Sequence, residues 1–249
     1  MTRIFVETEL TGQTNVVLTG EAAFYLLSVL RSKRGNRFVA VDPAGRECEV
    51  VVESASSDEV RGRIITMREA SAEPRAQVVL YQALLKNRNF ELVLQKCTEI
   101  GVSRFVPLVT ERTVPRPAGD RLEERGERWA KITEEACRQC GRNRPPEIAA
   151  ALTLPAALAG FSESNAVGLI PYEGVAGSHR HALRTALAGH GAHAQVALFV
   201  GPEGGFSPSE MEQATAAGLA QVSLGPRILR AETAAISATA VVMYELGEW

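Results

Sequence analysis

The hydrophobic pattern changes character once along the chain. Over roughly the first 70 residues the apolar positions form short runs rich in β-branched side chains. Arg3–Val6, Arg37–Val41, Glu47–Val52 and Val60–Met67 are predicted as strands. One helix interrupts them, from about Glu21 to Arg31, with Phe24, Leu27 and Leu30 repeating at helical spacing as its apolar face. Asp42-Pro43-Ala44-Gly45 reads as a turn, because proline sets φ at its second position and glycine tolerates the last. The expectation for residues 1–72 is a small β-barrel domain.

Around Ser71–Arg75 the composition turns polar and includes a proline, and beyond it strands alternate with helices. The predicted strands are Gln77–Leu84, Arg104–Val109, Ala166–Ile170, Gln195–Val200 and a short Gln221–Leu224. The predicted helices are about Asn89–Ile100, Leu122–Gln139, His181–Ala188, Pro208–Ala217 and Thr233–Leu246. Continuous apolar strands followed by helices call for a parallel sheet covered on both faces. Residues 73–249 are therefore expected to form an α/β domain.

Two loops stand out in that domain. Strand Gln195–Val200 runs into Gly201-Pro202-Glu203-Gly204-Gly205, and Ser207, Pro208 and Glu210 supply an N-cap, a first-turn proline and a capping box for the next helix. Ligands of open α/β sheets bind at the C-terminal strand edge, and glycines let a backbone come close to them. A tight turn without a ligand would use the same residues. The loop lacks the Lys-Ser/Thr of a P-loop and the spacing of a dinucleotide fingerprint, and Glu203 would repel phosphate. A sulfonium cation with an adenosine body suits it better.

The second loop, Leu224-Gly225-Pro226-Arg227-Ile228-Leu229-Arg230, also follows a strand and precedes a helix. The strand end Ile170-Pro171-Tyr172-Glu173-Gly174 is expected beside both, which makes one pocket from three loops. The expected cofactor contacts are Ile170, Pro171, Gly201, Pro202, Glu203, Gly204, Leu224, Gly225, Ile228 and Leu229.

Composition adds limits. With 45% hydrophobic and 22% charged residues the chain reads as an ordinary globular protein. Its longest apolar runs, such as Gln195–Val200 and Ala235–Met243, fall well short of the roughly 20 residues that cross a bilayer, and Met1–Glu7 has no signal-peptide core. A cytoplasmic protein without a membrane partner is expected, and four cysteines do not suggest a disulfide framework. The formal net charge of −2 hides a division. Lys86–Arg144 holds 13 Lys/Arg against 9 Asp/Glu, whereas Pro145–Trp249 holds 4 against 9, so the middle of the chain is where phosphate contacts are expected.

The combination of GPEGG and LGPRILRAETA with the upstream LLKNRNFELVLQKCTEIGV, WAKITEEACRQCGRNRPPEI, RIFV and VLRSKRG resembles the bacterial 16S ribosomal RNA (uracil-N3)-methyltransferase family. The resemblance spans nearly the whole chain. It implies a SPOUT-class α/β domain that binds S-adenosylmethionine in a deep trefoil knot, and a PUA-like N-terminal domain. It also implies a homodimer, and a uridine of 16S rRNA in the small ribosomal subunit as substrate. Local sequence announces no knot.

Methylating N3 of uridine requires loss of its proton, so the site must favour the uracil anion or supply a base. Arg230 is the candidate for stabilising charge on the uracil oxygens, with Arg227 second, and Glu232 is the candidate base; a helix-terminal acid complementing the dipole would look the same. No metal is required. Arg3, Arg31, Lys33 and Arg34 in the first domain are candidate RNA contacts. So are Lys86, Arg88, Lys96, Arg138, Arg142, Asn143 and Arg144 in the basic middle. Cys137-x-x-Cys140 has no second ligand pair at zinc spacing, and His179, His181, His190 and His193 sit in a Gly/Ala-rich stretch without carboxylates; both read as structural or surface features. The alternatives are the same fold acting on another RNA or on a ribose 2′-hydroxyl, and a non-catalytic RNA-binding assembly factor.

Overall fold

The computed structural model describes residues 1–68, 72–114, 120–175 and 183–249, with the backbone alone at 120–124. The described residues form two compact units, Met1–Glu73 with Cys137–Arg144, and Pro74–Ala136 with Pro145–Trp249. Among them no helix is long and apolar enough to cross a membrane.

In the first unit, β1 (Arg3–Phe5), β2 (Asn15–Leu18), β3 (Arg37–Val41), β4 (Glu47–Ala55) and β5 (Val60–Arg68) form one sheet in the order β1-β3-β4-β5-β2. The β1–β3 pair is parallel and the remaining pairs are antiparallel. Ile4 of one end strand and Val16 and Leu18 of the other share a single buried cluster with Leu26, Phe38, Val50 and Val60, so the sheet curls around one core. Strand β2 is absent from the sequence expectations. Its four residues alternate in burial, too short a run for periodicity to register.

The predicted helix is α1 (Gly20–Phe24) continuing into a π-helical turn, Tyr25–Val29. The wider turn is closed by the Leu30 N–H donating to the Tyr25 carbonyl at 3.0 Å. Of the expected apolar face, Leu27 packs against the core but Phe24 and Leu30 do not. Ala23 and Leu26 point into the core, while Phe24 is 65% and Leu30 37% exposed. A spacing of 3.6 does not survive a turn that closes five residues back.

The turn before β4 is built on Asp42. Its buried carboxylate accepts from the Leu10 N–H at 3.3 Å, the Arg46 N–H at 3.0 Å and the Arg46 guanidinium at 2.8 Å, and Gly45 takes φ +82. Burial pushes this carboxyl up, but the hydrogen bonds from the Arg46 side chain and from the Arg46 and Leu10 backbones outweigh it and hold it below its ordinary 3.8. The stability this gives is fully present above that value and is lost as pH falls through the lower folded value. Asp42→Asn should therefore lower stability at neutral pH and lose less than the parent on acidification, as read by urea melts at neutral pH and near about pH 3.

Cys137–Arg144 joins this unit although a division at residues 72 and 73 assigns it to the second. Glu73 holds it: its carboxylate accepts from the Arg142 guanidinium at 3.1 Å and from the N–H groups of Asn143 and Arg144 at 2.6 and 2.9 Å. Cys137 and Cys140 donate to the carbonyls of Arg144 and Cys137, respectively, each at 3.8 Å.

The second unit is a parallel sheet of β6 (Gln77–Ala83), β7 (Arg104–Val109), β8 (Glu147–Ile148), β9 (Leu152–Thr153), β10 (Val167–Pro171), β11 (Gln195–Val200) and β12 (Ala220–Val222). Its order is β12-β10-β11-β6-β7-β8, with β9 also on β7. The helices are α2 (Asn89–Ile100), α3 (Asp120–Cys140), α4 (Leu154–Ser162), α5 (Leu183–Ala186), α6 (Pro208–Ala216) and α7 (Ala231–Glu245). Strand β11 explains its own continuous apolar run. Val196, Leu198 and Val200 enter the core containing Phe90, Leu94, Ala235 and Val242 of α2 and α7, while Ala197 and Phe199 enter the opposite core with Leu158, Phe161 and Met211 of α4 and α6.

Helix α4 is a second omission from the sequence expectations. Its buried Leu154, Ala157, Leu158 and Phe161 follow i, i+3, i+4, i+7, and Pro155 sits in its first turn, so the signal exists but is short. His179 and His181 lie outside the described residues. Strand order reverses around β11, which lies between β6 and β10, and the crevice at that reversal positions the site.

Candidate active site

Loops leaving the C-terminal ends of β6, β10, β11 and β12 enclose one cavity of about 580 Å³. Its wall takes Lys86, Asn87 and Asn89 after β6, and Pro171 and Glu173 from β10 and the turn beyond it. Val200–Phe206 comes from β11 and its loop, and Ile228–Glu232 with Ala234 from the segment after β12 and the start of α7.

The β11–α6 loop is held rigidly. The Gly205 N–H donates to the Pro202 carbonyl at 2.9 Å, and Gly205 takes φ +66, where an L side chain is strained. Ser207 and Glu210 form the predicted capping box, and the second Glu210 oxygen accepts from the Glu111 N–H at 2.8 Å. The Arg112 guanidinium donates to the Gly204 carbonyl at 2.9 Å. Glu203 turns its carboxylate to the Lys86 N–H at 2.8 Å and so ties the β6 loop to the β11 loop. A turn without a task would not need anchors from two other segments.

On the opposite wall, Gly225 takes φ +102 and starts the turn that carries Ile228, Leu229 and Arg230 to the cavity. Ile228 is 86% exposed, an apolar side chain left open at the pocket rim. Arg230 is exposed and stands at the N-cap position of α7. Glu232, in the first turn, is 9% exposed, lines the cavity and has no hydrogen-bond or ion-pair partner among the described residues.

The structure thus brings Pro171, Gly201, Pro202, Glu203, Gly204, Ile228, Leu229, Arg230 and Glu232 to one cavity. Three expected cofactor residues lie off its wall. Ile170 is fully buried within the sheet, Leu224 packs against the core, and Gly225 forms the turn. Lys86, expected as an RNA contact, lines the same cavity, whereas the exposed Arg227 does not. The expected cofactor contacts do not include Asn87, Asn89, Glu173 or Phe206, although Glu173 belongs to a strand end expected at this pocket. Glu173 lies three residues past the end of the predicted strand Ala166–Ile170. Asn87 announces itself only in three dimensions, through a left-handed φ of +55.

The other candidate RNA contacts divide by burial. Arg142 and Asn143 correct the expectation: they are 4% and 2% exposed and turn inward, to Glu73 and to the Gly45 carbonyl, so a phosphate does not reach them. Arg3 pairs with Glu47 at 3.0 Å, and the Arg138 guanidinium lies 5.8 and 5.5 Å from the ring centroids of Phe5 and Tyr25. Arg144 is exposed but donates to the Ala44 carbonyl at 2.8 Å. Arg31, Lys33, Arg34 and Arg88 are exposed, and Lys96 pairs with Glu99 at 2.9 Å.

Comparison with known proteins gives the same picture from outside. Residues 72–243 match the family model of an RNA methyltransferase domain, and residues 18–65 that of an RNA methyltransferase PUA domain. The ribosomal RNA small subunit methyltransferase E of Synechocystis sp. is 34% identical over 96% of this chain and 76% of its own length. The protein of the same name from Mycobacterium bovis is 33% identical over 94% of this chain and 87% of its own. A crystal structure of ribosomal RNA small subunit methyltransferase E from Neisseria gonorrhoeae, bound to S-adenosyl methionine, superposes with a TM-score of 0.84 at 27% identity, covering 98% of this chain and 97% of that one. With a glycine-anchored cavity at its sheet edge and these matches along both units, the chain belongs to the RNA methyltransferase family that includes ribosomal RNA small subunit methyltransferase E.

Proposed function

We propose that the protein is an S-adenosylmethionine-dependent methyltransferase that modifies N3 of a uridine in 16S rRNA of the small ribosomal subunit. The observation that carries this reading is the cavity formed jointly by the Gly201–Phe206 loop and the Ile228–Glu232 segment. Its volume lies within the range of about 300–1,000 Å³ typical of small-molecule sites. The residues fit the cofactor. Gly201 and Gly205 give a backbone cradle, Ile228 and Leu229 an apolar wall for an adenine, and Glu173 and Glu232 the negative charge that a sulfonium favours. When bound, S-adenosylmethionine supplies the activated methyl group.

The chain's own residues then have two tasks at the uracil. Glu232, buried and without a hydrogen-bond or ion-pair partner among the described residues, accepts the N3 proton. Arg230 holds the negative charge that spreads onto the carbonyl oxygens as the proton leaves. Fixing the ring against the donor removes much of the entropic part of the barrier. Arg31, Lys33, Arg34, Lys86, Arg88 and Arg144 are the candidate RNA contacts that remain exposed. The reading extends to a trefoil knot in residues 224–249, a homodimer with α7 at its interface, and work in the cytoplasm, where ribosomal subunits are assembled.

The test is methyl transfer to naked 16S RNA and to assembled small subunits, with the product nucleoside identified by mass spectrometry and cofactor binding measured by calorimetry. N3-methyluridine is expected. A ribose-methylated product would move the target to the 2′-hydroxyl, and a folded protein that binds no S-adenosylmethionine would end the enzymatic reading.

A further inference from the structure

We propose that the exposed end of the first helical segment is a docking site for single-stranded RNA, with an unpaired base stacked on the ring of Phe24 and phosphates held by Arg31, Lys33 and Arg34. This rests on the RNA-modifying reading above and names a surface and a substrate form for it. The site lies wholly within the first unit.

The first observation is misplaced apolar surface. Phe24, Val29 and Leu30 are 65%, 57% and 37% exposed, on a segment whose core positions are Ala23 and Leu26. Phe24 stands on the α-helical part, one position off the buried Ala23, and faces solvent there; the π-helical turn Tyr25–Val29 that follows accounts for Leu30. By widening the helix it carries Leu30 away from the core side, where an α-helix would put it four residues after Leu26. The neighbouring Tyr25 is engaged, with its ring against the Arg138 guanidinium, whereas Phe24 presents an open ring to solvent.

The second observation is charge. Between Glu21 and Asp42 the chain carries Arg31, Lys33, Arg34 and Arg37 and no carboxylate. Arg37 pairs with Glu49 at 2.9 Å. The other three are exposed, and no hydrogen bond or ion pair engages their charged ends among the described residues. Their backbone is nevertheless ordered. Arg31 holds a left-handed φ of +51, Asn36 accepts from the Lys33 N–H at 2.7 Å through its side chain, and its own N–H donates to the Lys33 carbonyl at 3.0 Å.

An exposed aromatic ring followed, within ten residues of ordered chain, by cations that no carboxylate engages among the described residues fits a strand of phosphates with free bases. A duplex keeps its bases stacked on each other and offers Phe24 none. A second copy of the chain docking symmetrically would bring the same three cations to the contact, and like charges oppose that.

The test uses the full chain, without cofactor, and fluorescence anisotropy of a labelled single-stranded uridine-rich oligoribonucleotide and of the same strand in a duplex. Phe24→Ala is expected to weaken single-strand binding about 10-fold, in line with a lost base–aromatic stack, and to leave duplex binding unchanged. Phe24→Trp should restore it. Replacing Arg31, Lys33 and Arg34 together by alanine should flatten the log–log salt dependence by about 2, near 0.7 for each phosphate contact released. Since Phe24 is exposed, its thermal melt should match the parent. Wild-type single-strand affinity in Phe24→Ala would overturn the proposal, as would a change in oligomeric state with RNA affinity intact. Methyl transfer is scored separately: a product other than N3-methyluridine strikes the catalytic reading and leaves this binding result standing.

Discussion

Arg230→Ala should lower the rate of methyl transfer by about 10²–10³-fold, the loss usual when one positioned donor to a developing oxyanion is removed. The structure makes this a clean substitution. Arg230 stands at the N-cap of α7 with φ −63 and ψ 152, and its side chain makes no capping bond. What it contributes to the helix is its carbonyl, which accepts from the Ala234 N–H at 2.8 Å and survives truncation. The thermal melt and the calorimetric affinity for S-adenosylmethionine should therefore stay close to the parent while single-turnover methylation collapses. Arg230→Lys keeps the charge but loses the planar fork, and should fall between the two. Full turnover by Arg230→Ala would remove Arg230 from the mechanism.

A comparably large effect, on stability this time, is expected from Glu73→Ala. Glu73 serves Arg142 through Nε at 3.2 Å and Nη2 at 3.1 Å, and also takes the N–H groups of Asn143 and Arg144. The Arg142 side chain is only 5% exposed, so removing this carboxylate takes a charged partner from a guanidinium inside the first unit. Breaking a buried pair from one side costs about 3–5 kcal/mol. Glu73→Gln retains an acceptor and should cost less. Chemical denaturation followed by circular dichroism is the check, read as the first transition of a chain with two units, because a single two-state fit need not hold. Parent-like melting of Glu73→Ala would mean that the pair carries no stability and that Cys137–Arg144 is held in the first unit by other contacts.

These two residues mark opposite ends of what local sequence discloses. Arg230 is legible because its surroundings are punctuated: a strand, a Gly-Pro turn, then a helix. The capping box at Ser207 and Glu210 is legible for the same reason, and so are β3, β7, β11 and α2, whose predicted bounds coincide with the observed ones. Arg142 and Asn143 are the reverse case. In the sequence they are polar residues after a helix, next to a glycine and before two prolines, which is how an exposed loop looks. The carboxylate of Glu73, 69 positions before Arg142, and the carbonyl of Gly45 turn them inward. Leu30 is the opposite case, since a helical repeat predicts its burial and the π-helical turn that carries it outward has no compositional mark.

What the sequence determined by itself, then, is whatever acts over a few residues: hydrophobic period, caps, turns, and the resemblance carried by its motifs. Tertiary structure alone decided that the loop beginning at Lys86 joins the three expected ones at a single cavity. Which strand ends adjoin depends on the order β12-β10-β11-β6, a set of long-range pairings whose closure entropy is repaid only when the whole core assembles.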